Sequence, residues 1–195
     1  MTTGGDLKSN FLDEDFYPFE AREFSRERFT LIYFGLGSNL YNRLMNLRDA
    51  LSCLESLGHV IKTSSVYATP AWGGVEQPDY LNACAVVEAS PCSPVELLAK
   101  VKAFESKLGR VKSVRWGERK IDIDILLIGD MIYSSSNPEL NIPHVSLPER
   151  LFVLVPLSEL LSQDWRHPIN HKTLSEMIQD VKEREDWPLR VTSLL

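Results

Sequence analysis

Three cysteines, Cys53, Cys84 and Cys92, are few and odd in number for a chain of 195 residues. They match no metal-ligand spacing and sit among apolar neighbours, which excludes a disulfide framework and a cysteine-built zinc site. Long apolar runs are also missing. No stretch reaches the roughly 20 residues that a membrane-spanning helix needs. The N-terminus has neither the basic region nor the apolar segment of a secretion signal. Positive charge is in deficit, with 21 Lys and Arg against 27 Asp and Glu, a net charge of -6. That balance argues against nucleic-acid binding, which wants a basic footprint, and still leaves room for a local cationic pocket. Repeats and low-complexity tracts are absent. What remains is the expectation of a reduced, cytoplasmic globular protein with neither nucleic-acid nor membrane partners. A hydrophobic content of 44% and a charged content of 25% suit that class. One domain of ordinary size plus a tail is expected.

Residues 1–28 differ from the rest. Asp13, Glu14, Asp15, Glu20, Glu23 and Glu27 mix with Phe11, Phe16, Tyr17, Phe19 and Phe24 without a helical or strand period. An acidic, aromatic and flexible leader is expected there, followed by a domain over residues 29–195.

That domain opens with an apolar strand, Thr30 to Phe34, running into Gly35-Leu36-Gly37-Ser38-Asn39. A tight strand-to-helix turn wants glycine, and such a turn could also cradle a phosphate. Leu44, Leu47, Leu51 and Leu54 give helical spacing, with Asn42 as N-cap and Gly58 as stop. Val60 to Tyr67 reads as a second strand. Ala68 to Asp79 holds two prolines, a Gly-Gly pair and Trp72, so a long loop is expected. Tyr80 to Glu88 alternates as a strand, placing Tyr80, Asn82 and Cys84 on one face. Ser93-Pro94-Val95-Glu96 starts a helix that ends at Gly109. Met131 to Tyr133 reads as a hairpin return, Ser134 to Pro138 as a polar turn, and helices are expected from about Pro148 and near Thr173 to Arg184. The order is strand, helix, strand, strand, helix, strand. That is the βαββαβ pattern of a ferredoxin-like α+β sandwich, an antiparallel sheet with helices on both faces and C-terminal additions.

The chemistry gathers between Arg110 and Asp130. Arg110, Lys112, Arg115, Arg119 and Lys120 crowd around Trp116, and then Ile121 to Leu127 alternate as a strand. Asp122 and Asp124 share one face of it, roughly 7 Å apart at the backbone. Two neighbouring anions on an apolar strand repel unless a cation sits between them. Mg²⁺ with a polyphosphate fits, since that ion takes one or two carboxylates plus substrate phosphates. A solvated acidic edge strand is the plainer alternative, and solvated loop arginines are the plainer reading of the cations. Thr69, Trp72, Tyr80, Asn82 and Phe152 form an aromatic and polar group that could hold a flat heterocycle, or could simply belong to the core. His144 stands with Arg150, and a lone His before a helix is more often a structural hydrogen-bonder than a ligand contact. His167 and His171 flank a turn and lack a third metal ligand.

Taken together, Gly35-Leu-Gly-Ser-Asn39, Ser65-Val-Tyr-Ala-Thr-Pro70, Gln77-Pro-Asp-Tyr-Leu-Asn-Ala83, Arg115-Trp-Gly-Glu-Arg119, Asp122-Ile-Asp-Ile-Leu-Leu127, Ile142-Pro-His144 and Glu149 to Leu157 make the chain distinctive. From about Thr30 to Val181 it resembles the 6-hydroxymethyl-7,8-dihydropterin pyrophosphokinases of folate biosynthesis. The resemblance implies transfer of a pyrophosphoryl group from ATP to the pterin hydroxymethyl oxygen, with AMP leaving. It implies two Mg²⁺ ions on Asp122 and Asp124, and phosphate clamping by Arg110 and Arg119. Thr69, Pro70, Trp72, Tyr80, Asn82, Trp116 and Phe152 would form the pterin site. Glu105, Arg110, Arg115, Trp116, Arg119, Ile125, His144 and Arg150 would serve ATP. Neighbouring folate-pathway enzymes are the partners it suggests beyond small molecules. The chain departs from the family pattern at Tyr41-Asn42, at Glu118 where a proline is usual, at Val145, in a shortened 109–116 loop and in its leader. A non-catalytic pterin- or nucleotide-binding module on the same fold is the competing reading.

Overall fold

The computed structural model describes residues 29–71, 77–111 and 117–195. The leader expected over residues 1–28 lies outside them. In chain order the elements are β1 (Thr30–Ser38), α1 (Arg43–Leu54), β2 (Gly58–Thr63), β3 (Ser65–Thr69), β4 (Tyr80–Ala89), α2 (Pro94–Lys107), β5 (Asp122–Ile128), β6 (Tyr133–Ser136), β7 (Glu139–Ile142), α3 (Leu151–Leu157), α4 (Leu174–Val181) and β8 (Leu189–Ser193). The main sheet runs β5-β1-β4-β3-β8, with β2 also on β4, and its strand pairs are antiparallel. Its central order is the ferredoxin-like one, with β2 and β3 sharing one flank of β4.

Each face of the sheet carries its own core. Ile32, Phe34 and Leu36 of β1 meet Leu47, Leu51 and Leu54 of α1 and Leu97 and Val101 of α2 on one face. On the other, Tyr67, Cys84 and Leu126 meet Leu151, Leu154 and Leu157 of α3 and Met177 and Val181 of α4. Full burial of one such side chain contributes about 1.5–3 kcal/mol, so α1 is held by its leucine stripe more than by intrinsic helicity. The helix starts follow local chemistry. Asn42 accepts from Met45 N at 3.2 Å, and Ser93–Glu96 and Thr173–Glu176 form reciprocal capping boxes.

Several expectations change. The strand read as Val60 to Tyr67 is two strands broken at Ser64. There the Ser64 hydroxyl accepts from Cys84 N at 2.8 Å and replaces a backbone partner in the ladder. Gly58 does not stop α1. It opens β2, where a Cβ would stand 2.1 Å from the Glu88 carbonyl oxygen, a closeness only glycine allows. Ser134 to Ser136, read as a turn, are strand β6, and the turn narrows to Asn137-Pro138 before β7. The helix expected from about Pro148 begins as a 3-10 turn, Leu147–Glu149, and becomes α3 only at Leu151. β8 was not expected at all. Its exposed Leu-Arg-Val-Thr-Ser carries no burial signal, and its pairing with β3 makes it a strand.

Candidate active site

The site begins with register. On β1, Gly35 lies between Asp124 of β5 and Cys84 of β4, and Gly37 lies between Asp122 and Asn82. All six positions project to the α3 face, because residues two apart in a strand share a side. Both glycines sit inside the strand and outside any turn, so the expected phosphate-cradling turn is not what they form. Their role is space. A Cβ on Gly37 would stand 3.0 Å from Asn82 Oδ1, and one on Gly35 would stand 3.4 Å from Leu126 Cδ2. The two missing side chains open a trough between an acidic strand and an amide-bearing strand. It forms the floor of an open cleft.

The cleft brings together Thr69, Pro70, Tyr80, Asn82, Arg119, Asp122, Asp124, Arg150 and Phe152 from the expected residues. Asn82 is buried, and its Nδ2 donates to Thr69 Oγ1 at 2.8 Å. The Arg150 guanidinium lies 5.5 Å from the centre of the Phe152 ring. Tyr80 also lines the cleft, its hydroxyl reaching Gly117 O at 3.5 Å. Burial pushes the Tyr80 phenol up, so it remains protonated.

Across the floor, charge is divided unequally. Arg110 bonds Asp122 Oδ1 at 2.7 Å and Arg119 bonds Oδ2. Burial would raise Asp122, but the nearby Arg119, Arg110 and Lys102 outweigh it and hold the carboxyl below its ordinary range. At Asp124 the Lys102 and Arg150 charges also favour ionisation, but they are outweighed. Burial first, then repulsion from Asp122, lifts it to about 7. A carboxylate whose charge is resisted this strongly is a place for an added cation.

Other expected residues lie elsewhere. Glu105 is 2% exposed and sits behind the pair. Its carboxylate accepts from Ile123 N at 2.9 Å, pairs with Lys102 at 2.9 Å and bonds Arg110. It therefore fixes Arg110 and the start of β5 from beneath. The Ile125 side chain is turned into the α1–α2 core, away from the cleft. His144 lies along the outer edge of β5, its N–H donating to Leu126 O at 2.9 Å and its Nδ1 accepting from Ser146 N at 3.2 Å. Burial and then the Arg150 charge lower its pKa, which keeps the ring neutral near pH 7. Trp72, Lys112, Arg115 and Trp116 lie outside the described residues.

Sequence reading missed the floor and its anchor. Asn39 is 1% exposed. Its Oδ1 accepts from Arg119 N at 2.7 Å, its N–H donates to Arg119 O at 3.1 Å, and its Nδ2 reaches Gln77 Oε1 at 3.0 Å and Pro78 O at 3.3 Å. One side chain thus fastens the ends of both loops that border the cleft. Its neighbour Ser38 donates to Lys120 O at 2.6 Å. Cys84 and Val153 also line the cleft. Their apolar character gave no signal, although the period of β4 already placed Cys84 with Tyr80 and Asn82.

Residues 33–162 match the family described as 7,8-dihydro-6-hydroxymethylpterin-pyrophosphokinase (HPPK). The chain belongs to this family. A 2-amino-4-hydroxy-6-hydroxymethyldihydropteridine pyrophosphokinase from Haemophilus influenzae is 39% identical over 155 residues, covering 78% of this chain and 94% of that one. The protein of the same name from Synechocystis is 38% identical, covering 80% and 78%. The folic acid synthesis protein fol1 of Schizosaccharomyces pombe is 35% identical over 88% of this chain but only 22% of its own length. Among solved structures, Plasmodium falciparum HPPK-DHPS with pteroate superposes with a TM-score of 0.67 at 17% identity, covering 83% of this chain and 48% of that one. That likeness supports the α+β fold, and the chain spans about half the length of the Plasmodium protein.

Proposed function

We propose that this chain transfers pyrophosphate from ATP to the hydroxymethyl group of 6-hydroxymethyl-7,8-dihydropterin, giving AMP and the pterin diphosphate, as a step of folate biosynthesis. The observation that carries the reading is the trough of Gly35 and Gly37, which sets an acidic pair and two arginines opposite an amide-aromatic wall. Membership of the family supports it. In the reaction the hydroxymethyl oxygen attacks the β-phosphorus. The bond from that phosphorus to the bridging oxygen of the α-phosphate breaks, and the hydroxyl proton is released.

Asn82 and Thr69 fit the edge of the pterin, and Tyr80 and Phe152 fit its faces, because flat heterocycles take stacking on rings and hydrogen bonds at their edges. Arg110 and Arg119 are placed to hold phosphate oxygens where charge develops. His144 and Arg150 suit the nucleotide side. Trp72, Arg115 and Trp116, outside the described residues, complete the proposed set by the family resemblance alone.

The donor set suits Mg²⁺. Among the described residues no three or more His, Cys, Asp or Glu converge, so the protein alone does not complete a metal cage. Asp122 and Asp124 would hold an ion, two by the family resemblance, whose other ligands are substrate oxygens and water. When bound, Mg²⁺ supplies neutralisation of the triphosphate charge.

The three cysteines are free, which suits the reducing cytoplasm, and no helix among the described residues is long and apolar enough to cross a membrane. The longer fol1 and HPPK-DHPS relatives support work beside other folate-pathway enzymes. Incubation with ATP, Mg²⁺ and the hydroxymethyl pterin tests the reading by product analysis. AMP and pterin diphosphate are expected, and ADP as the nucleotide product would overturn it in favour of single-phosphoryl transfer.

A further inference from the structure

The chain after α4 lies beyond residues 33–162, the segment that matches the family, yet it touches two walls of the cleft. α3 begins without a cap of its own, since Arg150 occupies the N-cap position and makes no side-chain cap bond. Its first N–H, that of Leu151, donates instead to Glu185 Oε2 at 2.8 Å. Leu151 is 0% exposed, so water cannot replace that carboxylate, and a buried N–H without a partner is costly. The residues flanking Leu151 are Arg150 and Phe152, both of which line the cleft. Four residues beyond Glu185 the chain enters β8. There Leu189 pairs with Ala68 and Arg190 with Tyr67, and Arg190 Nε donates to Ser65 Oγ at 2.8 Å. Ala68 directly precedes Thr69 and Pro70, which also line the cleft. A single short segment therefore leans on the aromatic wall at one end and on the Thr69 wall at the other.

We propose that residues 185–190 form a brace for the acceptor side of the cleft, and that Glu185 is a positioning residue. Its carboxylate fixes the start of α3 and so the placement of Phe152, the acceptor-side ring next to Leu151. An anion at a helix N-terminus is also favoured by the peptide dipoles. Glu185 touches no substrate, and it acts through the backbone of Leu151. The substrate assignment rests on the pyrophosphokinase reading, whereas the cap itself does not.

The test uses the full chain with Glu185→Ala, Glu185→Asp and Glu185→Gln, measuring Leu151 amide exchange, thermal midpoint, and kcat and KM for both substrates. In E185A, exchange at Leu151 should quicken by about tenfold or more. The pterin KM should rise about tenfold, with kcat at saturation changed by less than about threefold. E185Q, whose amide oxygen can still accept, should recover most of the pterin KM. Unchanged pterin KM in a folded E185A with an active parent would overturn the proposal. So would a fall in kcat alone that tracks a lost folded fraction. If E185A does not fold, E185D decides, because its shorter reach should raise the pterin KM by about threefold, and an unchanged KM overturns the brace. If the parent forms no AMP, the pyrophosphokinase reading fails by itself, and amide exchange at Leu151 still decides the cap.

Discussion

On the β4–β3 side of the cleft, the Asn82 amide and the Thr69 hydroxyl already close on each other at 2.8 Å. On the β5 side, Asp122 takes both arginines while Asp124 is left with a carboxyl lifted to about 7. The first wall is a finished hydrogen-bonded surface, shaped before any ligand arrives. The second is electrostatically incomplete, and its strain is relieved only by a proton or a cation. The contrast shows which half of such a site is preorganised by the fold and which half is organised by its ligands.

The largest expected effect comes from breaking the incomplete wall. Asp122→Ala should lower AMP formation by several orders of magnitude, with an unaltered circular dichroism spectrum. Retained activity would remove the carboxylate pair from the chemistry. The finished wall should respond differently. Asn82→Ala takes away a buried amide worth about 1–3 kcal/mol in an unpaired-partner setting, so the pterin Kd should rise about ten- to hundredfold. The Kd for a non-hydrolysable ATP analogue, titrated separately, should stay within about twofold. An equal loss for both ligands would mean that the two walls are not separable.

Asp124→Asn sharpens the contrast through stability. The folded pKa of Asp124 is raised above its unfolded value, so the folded state binds the extra proton between about 4 and about 7. Wild-type stability therefore falls as pH rises through that window. Without Mg²⁺, the asparagine variant should melt several degrees higher than wild type at pH 8 and no higher at pH 4, by calorimetry. A pH-independent difference would contradict the account of that carboxyl.

The smallest effect concerns the frame behind the finished wall. Glu159 accepts from Tyr67 Oη at 2.6 Å, from Ser65 N at 3.0 Å and from Ser65 Oγ at 3.1 Å. Burial opposes its ionisation, but these bonds and Arg190 hold its pKa below the usual value. A depressed carboxyl stabilises above its unfolded pKa, and that contribution is lost as pH falls through the folded one. Glu159→Gln should thus cost roughly 2 °C near pH 7, with the difference vanishing below about pH 4. A constant offset across pH would show that the carboxylate charge plays no part.

Much of this was legible residue by residue. The alternation from Ile121 to Leu127 placed Asp122 and Asp124 on one face, and the spacing of Leu44 to Leu54 and the Ser93-Pro94-Glu96 start gave α1 and α2. These signals are local, since they depend on strand period, helix period and capping geometry. The unread parts depend on distant partners. β8 is exposed and weakly patterned, so only Ser65 to Ala68 make it a strand. Ser64 breaks the second strand because Cys84, twenty residues on, takes its hydroxyl. Glu105, expected at the nucleotide, sits behind Arg110 because its helix packs under β5.

From the sequence alone came the family resemblance, the paired carboxylates, the helix starts and the residues of the amide-aromatic wall, because each is written in neighbouring residue types and their spacing. Tertiary structure decided that Gly35 and Gly37 are a floor and form no turn, since their purpose appears only when β4 and β5 flank them in register. It also decided that Asp124 carries the strain while Asp122 does not, because both arginines bond Asp122, whereas at Asp124 burial and the Asp122 charge outweigh the nearby cations.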